Sequence, residues 1–417
     1  MQNTPKSMRL QLAICGRINA GKSTLLNLIA GQESAITSPE RGTTTDVVEK
    51  TMELRPLGAV CLLDTAGMDD DTVLGQKRLQ KTKLAIDRAD AVIMVLVSDN
   101  WNSTEDTLLQ MADTRGIPVI PVINQRSAVS NDFIGMTAKK TGASPLVINA
   151  ADNTRRTAFL DQLTAVLLEK LPESATTPPF LNDLIPENSL VVLMTPIDSQ
   201  APKGRLIMPE VTAIRDALDG NAQVIIAKEN AFPDIYRKLT EKPALAVCDS
   251  QVVHKLIAST APDVPQTTFS ILMSRLKGDI CEFAAGCAAI ESIVPGDKIL
   301  IAEACTHHAA ENDIGKIQIP KLLQKKCGGE LDFTFFAGSD YPEDLAQYKL
   351  IVHCGGCMLN RRTMLNRLRI ARNAGVPVCN YGMCISACRG VIAMVLTPFP
   401  EALKTYREAL DIYTKKM

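Results

Sequence analysis

The sequence predicts an α/β protein of three domains: a phosphate-loop domain built on a parallel sheet (residues 1–171), then two smaller α/β domains (180–265 and 266–417). Three observations predict it. An apolar run from Leu10 to Cys15 leads directly into Gly16-Arg17-Ile18-Asn19-Ala20-Gly21-Lys22-Ser23, after which Thr24-Leu25-Leu26-Asn27-Leu28-Ile29 has helical spacing. Short apolar runs alternate with helix-period segments down the rest of the chain, which is the rhythm of βαβ units. At 417 residues the chain exceeds one ordinary core, and Pro172-Glu173-Ser174-Ala175-Thr176-Thr177-Pro178-Pro179 is a linker by composition.

Lys plus Arg (45) nearly cancels Asp plus Glu (46), and no segment gathers basic residues into a stripe, so nucleic-acid binding has no electrostatic footprint. The longest apolar runs, such as Ala91 to Val97, are far shorter than the ~18 residues of a membrane span, and no membrane partner is expected. Met8-Arg9 passes straight into the first strand, with no cleavable leader pattern. The twelve cysteines are accordingly expected as reduced thiols or metal ligands of a cytoplasmic protein.

Strand, Gly-x-x-x-x-Gly-Lys-Ser and helix together make a phosphate loop. Its glycines let backbone N–H groups from Gly16 to Thr24, those of Asn19, Ala20 and Gly21 included, turn towards an anion at a helix N-terminus. Lys22 is expected to neutralise the β- and γ-phosphates, and the Ser23 hydroxyl to ligate magnesium. Downstream, the strand Cys61-Leu62-Leu63-Asp64 ends on an acid that can hold magnesium through water, and Gly67 can offer its N–H to the γ-phosphate. Between them, Gly42-Thr43-Thr44-Thr45-Asp46 suits a switch loop ordered by the γ-phosphate and magnesium. A helix from Arg155 to Leu171 is expected to close the domain.

With these residues in view, the first domain resembles the translation-factor-like small GTPases, in particular their potassium-stimulated branch. The resemblance implies that Asn19 helps coordinate potassium, that Thr44 is the magnesium-binding switch threonine, and that the hydrophobic Met68 stands where other GTPases place a catalytic glutamine. Potassium then supplies the charge that an arginine finger supplies elsewhere. The base-reading segment departs from the family pattern. After the strand Pro118 to Ile123, Asn124-Gln125-Arg126-Ser127 replaces Asn-Lys-x-Asp, keeping Asn124 but putting a hydroxyl where a carboxylate accepts two bonds from guanine. Val147-Ile148-Asn149-Ala150 occupies the place of the family's Ser-Ala turn, with Ala150 at the base site. GTP remains the expected nucleotide because every phosphate-side element is present.

In the second segment, Leu190 to Met194, Gln223 to Ala227 and Ala244 to Cys248 read as buried strands, with a helix over Glu210 to Leu218. No catalytic constellation is visible there. Asp198 and Lys203-Gly204-Arg205 read as loop charges, and a small apolar sheet of this kind suits a dimerisation and connector module.

The third segment carries soft and borderline metal ligands at two strand ends. Cys305-Thr306-His307 follows Ile299 to Ala302, and His353-Cys354-Gly355-Gly356-Cys357 follows Lys349 to Val352. The chain has only four histidines, and two of them sit inside these motifs, with His308 immediately beside one. Further strands are expected at Leu331 to Phe336 and Val376 to Cys379, and an Arg-rich amphipathic helix at Thr363 to Ala374 whose arginines read as a solvated face. Parallel strands that deliver ligands at their carboxyl ends follow the general rule for sites in open α/β sheets. Cys379, Cys384 and Cys388 form a second group that suits another metal centre, spare thiols or core filling alike. Cys15 and Cys61 read as core, and Cys281 and Cys287 carry no assigned role.

The joint pattern of this phosphate loop with Cys-x-His, a gap of 45 residues and His-Cys-x-x-Cys resembles, over essentially the whole chain, the HydF family of GTPases that mature FeFe-hydrogenase. The resemblance implies a 4Fe-4S cluster on Cys305, Cys354 and Cys357, with His307 and His353 as candidates for the fourth ligand or its surroundings. It implies a transient diiron precursor as cargo, radical-SAM maturases and apo FeFe-hydrogenase as partners, and a homodimer. Ligand chemistry alone also admits structural zinc, in a GTPase serving ribosome- or RNA-associated assembly. The near-neutral charge speaks against that alternative.

Overall fold

A computed structural model describes residues 5–31, 36–37, 48–65, 67, 73–171, 178–196, 206–304, 313–338, 341–342 and 344–415. The chain divides into two compact units, Met1–Thr176 and Thr177–Met417. Thr44, Met68, Asp198, Lys203, Gly204, Arg205, Cys305, His307 and His308 lie outside the described residues.

In the first unit the elements run β1 (Leu10–Gly16), α1 (Lys22–Ala30), β2 (Ile36–Thr37), β3 (Val48–Leu54), β4 (Gly58–Asp64), α2 (Val73–Arg88), β5 (Ala91–Val97), α3 (Ser103–Asp113), β6 (Val119–Asn124), α4 (Asn131–Thr141), β7 (Leu146–Ile148) and α5 (Arg156–Lys170). Among the described residues its sheet has the order β2-β3-β4-β1-β5-β6-β7. From β4 to β7 all neighbours are parallel. A strand buried on both faces reads as a continuous apolar run, and β1, β5 and β6 do. Alternate side chains serve two cores. Leu12 and Ile14 pack with Leu25, Ile29, Leu163 and Leu167 on one face, while Ala13 and Cys15 pack with Ile86, Leu108 and Phe133 on the other.

The outer part of this sheet differs from the wholly parallel expectation. β3 is antiparallel to β4, and β2 is antiparallel to β3. Only residues 55–57 separate β3 from β4, whereas a parallel pairing needs a crossover of a dozen residues or more.

The second unit holds two sheets among the described residues. The first is formed by β8 (Leu190–Met194), β9 (Gln223–Ala227), β10 (Leu245–Cys248) and β11 (Gln266–Thr268), in the order β11-β10-β8-β9 and parallel throughout. Its helices are α6 (Met208–Asp219), α7 (Phe232–Arg237) and α8 (Val253–Ser259), and α9 (Phe269–Lys277) and α10 (Ile280–Ala288) follow. The second sheet comprises β12 (Lys298–Glu303), β13 (Asp332–Ala337), β14 (Leu350–His353) and β15 (Val378–Asn380), in the order β13-β12-β14-β15, again all parallel. α11 (Ile319–Cys327), α12 (Arg361–Asn373), α13 (Tyr381–Cys388), α14 (Ile392–Val395) and α15 (Pro400–Thr414) complete the chain. Gly286 of α10 lies so close to β15 that a Cβ there would collide with the Val378 backbone. No helix among the described residues is long and apolar enough to cross a membrane.

Candidate functional sites

The phosphate loop joins β1 to α1, and its shape needs the residues found there. Gly16 has φ +149°, and a Cβ on it would meet Val95 O at 2.5 Å. Asn19 also adopts positive φ, at 59°, a region that Asn tolerates better than most residues. Lys22 is buried, and its Nζ donates to Gly16 O at 3.1 Å and Arg17 O at 2.7 Å, which holds the ammonium over the loop. Ser23 and Thr24 stand exposed in the first turn of α1. Ser23 Oγ donates to Asp64 Oδ2 at 3.2 Å, bringing together the two side chains selected for magnesium. Burial pushes the Asp64 carboxyl above its ordinary pKa, opposed by the Ser23 hydrogen bond and by Lys22. Its Oδ1 is buried without a hydrogen-bond partner among the described residues. Gly67 lies against the loop, where a Cβ would stand 2.6 Å from Ile18 N.

Asn124, at the end of β6, ties the loop to the end of the sheet. Its Nδ2 donates to Ala20 O at 2.9 Å, and its Oδ1 accepts the Ala150 N–H at 3.1 Å. Ser127 is exposed beyond it. Sequence reading missed one further clamp. Arg17 donates through Nε to Glu105 Oε1 at 2.7 Å and through Nη2 to Asn100 O at 2.5 Å, and Glu105 is wholly buried. A signal for half of this existed in Asn102-x-x-Glu105, a capping box that starts α3.

In the second unit, register aligns the carboxyl ends of the last sheet: Glu303 with Ala337, Ala302 with His353, and His353 with Asn380. His353 is fully buried, its Nδ1 2.7 Å from Cys354 O. Its Nε2 has no hydrogen-bond partner among the described residues. Burial, with the Arg367 guanidinium beside it, pushes the imidazole pKa down to about 3, so the ring is neutral and keeps a lone pair. The chain then turns. Gly356 takes φ +64°, Leu359 N donates to Gly356 O at 2.9 Å, and Asn360 caps α12 through Thr363 N at 3.1 Å. Cys354 and Cys357 are both half-buried on this turn. Ala304, the last described residue before Cys305, donates its N–H to Cys354 Sγ at 3.1 Å. Burial raises the Cys357 thiol pKa, and the buried Lys277 ammonium opposes that rise. Arg367 is buried and stacks 4.5 Å from the Tyr341 ring centroid, so the Arg-rich helix does not present all its arginines to solvent. That corrects the expectation of a solvated face. Among the described residues no three His, Cys, Asp or Glu side chains are grouped to hold a metal; the motif's other half, Cys305 and His307, lies outside them.

Comparison with known proteins assigns three segments. Residues 11–125 match a model described as a 50S ribosome-binding GTPase, residues 180–278 the hydrogen maturase F dimerization domain, and residues 281–398 the hydrogen maturase F tetramerization domain. GTPase Der of Synechococcus sp. (strain WH7803) is 28% identical over 249 residues, covering 56% of this chain and 53% of that protein. The tRNA modification GTPase MnmE of Ruegeria pomeroyi is 38% identical over 144 residues, covering 34% and 31%. The chain thus spans about half the length of the Der relatives it matches. Aquifex aeolicus Era bound to GDP and aluminium fluoride is 19% identical, covering 54% of this chain and 97% of that one, with a TM-score of 0.33. The G domain of the T. maritima FeoB iron transporter covers 39% and 99% at 20% identity, with a TM-score of 0.30.

Proposed function

Because the chain belongs to the hydrogen maturase F (HydF) family, we propose that it is a GTP-hydrolysing scaffold that carries a diiron precursor during FeFe-hydrogenase maturation. The observation that carries the reading is the end of β14. There a buried neutral imidazole, its Nε2 without a hydrogen-bond partner among the described residues, adjoins two thiols on one turn, at the carboxyl edge of a parallel sheet. Cys305, Cys354 and Cys357 would hold a 4Fe-4S cluster, with His307 or His353 as its fourth ligand or orienting that ligand. Held by three thiolates, such a cluster would supply an iron able to take a further ligand. The Ala304 N–H donates to Cys354 Sγ at 3.1 Å, and hydrogen bonds to the ligating sulfurs are one means by which a protein tunes such a cluster.

At the other site Lys22 positions and neutralises the phosphates, Asn124 and Ala150 shape the base side, and Gly67 and Thr44 answer the γ-phosphate. Ser23, Thr44 and Asp64 would hold magnesium and Asn19 potassium, and these ions would supply the remaining positive charge. Segments 180–278 and 281–398 mediate self-association. The partners are the radical-SAM maturases and apo FeFe-hydrogenase, in the cytoplasm.

Anaerobic reconstitution with iron and sulfide, followed by metal analysis and electron paramagnetic resonance, tests the cluster. The intact chain should give a 4Fe-4S signal that Cys305→Ala and Cys354→Ala each lose. Stoichiometric zinc without iron or sulfide overturns the reading in favour of a structural zinc GTPase. Turnover of GTP should be faster in potassium than in sodium; equal rates remove the Asn19 assignment.

A further inference from the structure

With phosphates held at the N-terminus of α1, a base lies where the strands β6 and β7 end, because ligands of open α/β sheets bind beyond the carboxyl ends of the strands. Asn124 fixes that place. It is buried, and its amide bonds Ala20 O in the phosphate loop and the Ala150 N–H after β7, so one side chain joins the loop to both strand ends. Gln125 N donates to Ile148 O at 2.8 Å and continues the pairing of the two strands. The walls of the base site are therefore Gln125-Arg126-Ser127 after β6 and Asn149-Ala150-Ala151-Asp152 after β7.

These walls hold a single carboxylate, Asp152, and it is engaged elsewhere. Its Oδ1 accepts Thr154 N at 3.0 Å and Thr154 Oγ at 2.5 Å, and its Oδ2 stands 3.7 Å from Arg155 Nε. Asp99, which follows β5, accepts Ser130 N at 3.2 Å and Ser130 Oγ at 2.6 Å, and so anchors the far end of the β6 wall. Asn149 Oδ1 accepts the Ala151 N–H at 3.0 Å. Arg126 and Ser127 are exposed. Arg126 leans on the phosphate loop, where a Cβ on Gly21 would stand 3.4 Å from its Nη2. A guanidinium only donates, whereas the Ser127 hydroxyl and the Gln125 amide both donate and accept.

Resting on the GTPase reading above, we infer that this pocket does not read the C2 substituent of a 6-oxopurine, so that it takes inosine and xanthosine triphosphates alongside GTP. The three bases share the 6-oxo group and differ at C2, which carries an amino group in guanine, hydrogen in hypoxanthine and a carbonyl oxygen in xanthine. A carboxylate at that edge accepts from the amino group, loses a bond to the hydrogen and repels the carbonyl. Ser127 has no such preference, since its hydroxyl accepts from the amino group or turns its proton towards the carbonyl. A neutral hydrogen bond exchanged with water contributes little net affinity, so losing the amino group costs only a few-fold. Arg126 meets a nucleotide through charge or through the ring face, and neither senses an exocyclic group. The walls thus contain no second residue that restores the selectivity a carboxylate would give.

Calorimetric titration of the full chain with each nucleotide, magnesium and potassium present, tests this. GTP and inosine triphosphate should differ in affinity by less than about fivefold, and xanthosine triphosphate should also bind. Ser127→Asp should open a preference for GTP over inosine triphosphate of roughly tenfold or more, the worth of a hydrogen bond to a charged acceptor, and should bind xanthosine triphosphate worst of the three. Arg126→Ala should weaken all three alike. If Ser127→Asp fails to fold, the affinities of the unsubstituted chain decide alone. The inference is overturned if that chain binds GTP about tenfold or more tighter than inosine triphosphate, or if Ser127→Asp leaves their ratio unchanged. Binding of none of the three nucleotides removes the GTPase reading and this inference with it, whereas tight GTP with inosine triphosphate rejected removes this inference alone.

Discussion

Ser23 Oγ donates to Asp64 Oδ2 at 3.2 Å across 41 positions of sequence, joining the first turn of α1 to the end of β4. The contact exists because β1 and β4 are parallel neighbours, with Ile14 opposite Asp64, so both carboxyl ends face one place. That pairing makes the site a product of sheet order.

Asp64→Asn should weaken magnesium dependence. An acid that orients a metal ligand contributes roughly 10- to 100-fold in metal affinity or activity. GTP turnover titrated with magnesium should show the half-saturating concentration rising by that order; an unchanged curve would remove Asp64 from the site.

The same carboxylate sets a pH-dependent stability. Its folded pKa is raised by burial, so the folded state holds the proton more tightly than the unfolded chain does. Its stabilising contribution is therefore full below the ordinary aspartate range and is lost as pH rises through the raised value. In the metal-free chain at neutral pH, Asp64→Asn should melt higher than wild type, and the difference should vanish under strongly acidic conditions. Melting curves of both proteins across pH check it, and a lower neutral melting temperature for the variant refutes it.

Arg17 and Glu105 form a buried pair, with side chains 9% and 0% exposed. Arg17→Met leaves the Glu105 charge buried and should cost about 3–5 kcal/mol, whereas Arg17→Met with Glu105→Gln should recover most of that loss. Peptide-resolved hydrogen exchange over β1 and α3 reads both. Equal protection in the single and double variants would contradict the pairing.

Gly286→Ala sets two effects against each other. Alanine gains about 1 kcal/mol of helix propensity over glycine. A Cβ there drives into the Val378 backbone, which cannot rotate away, and overpacking costs about 1–3 kcal/mol. The clash should win, lowering the melting temperature and raising exchange in α10. A stabilised variant would show that α10 and β15 are less closely packed.

Much of the architecture was legible because strand runs in a parallel sheet are apolar on both faces. Leu190–Met194 and Gln223–Ala227 read from sequence with the boundaries they have in the structure, but the second, expected as buried, is an edge strand with Gln223 and Ile226 exposed. The closing helix, expected from Arg155 to Leu171, runs Arg156–Lys170. β11 was missed because Gln266-Thr267-Thr268 is polar, yet all three residues are buried. α10 was missed because Ala285, Gly286 and Ala288 are small, and helix packing against a strand, not periodicity, explains them.

The sequence by itself determined the phosphate loop, the acid that follows it and the identity of the sulfur and imidazole donors, because those depend on residue type and local spacing. Only tertiary structure decided which of them meet. Parallel pairing of β1 with β4 placed Ser23 against Asp64, and pairing of β12 with β14 brought Ala304 N–H onto Cys354 Sγ. The burial that strips His353 of its proton also comes from packing. Desolvation depends on what surrounds a group in three dimensions, and no spacing along the chain encodes it.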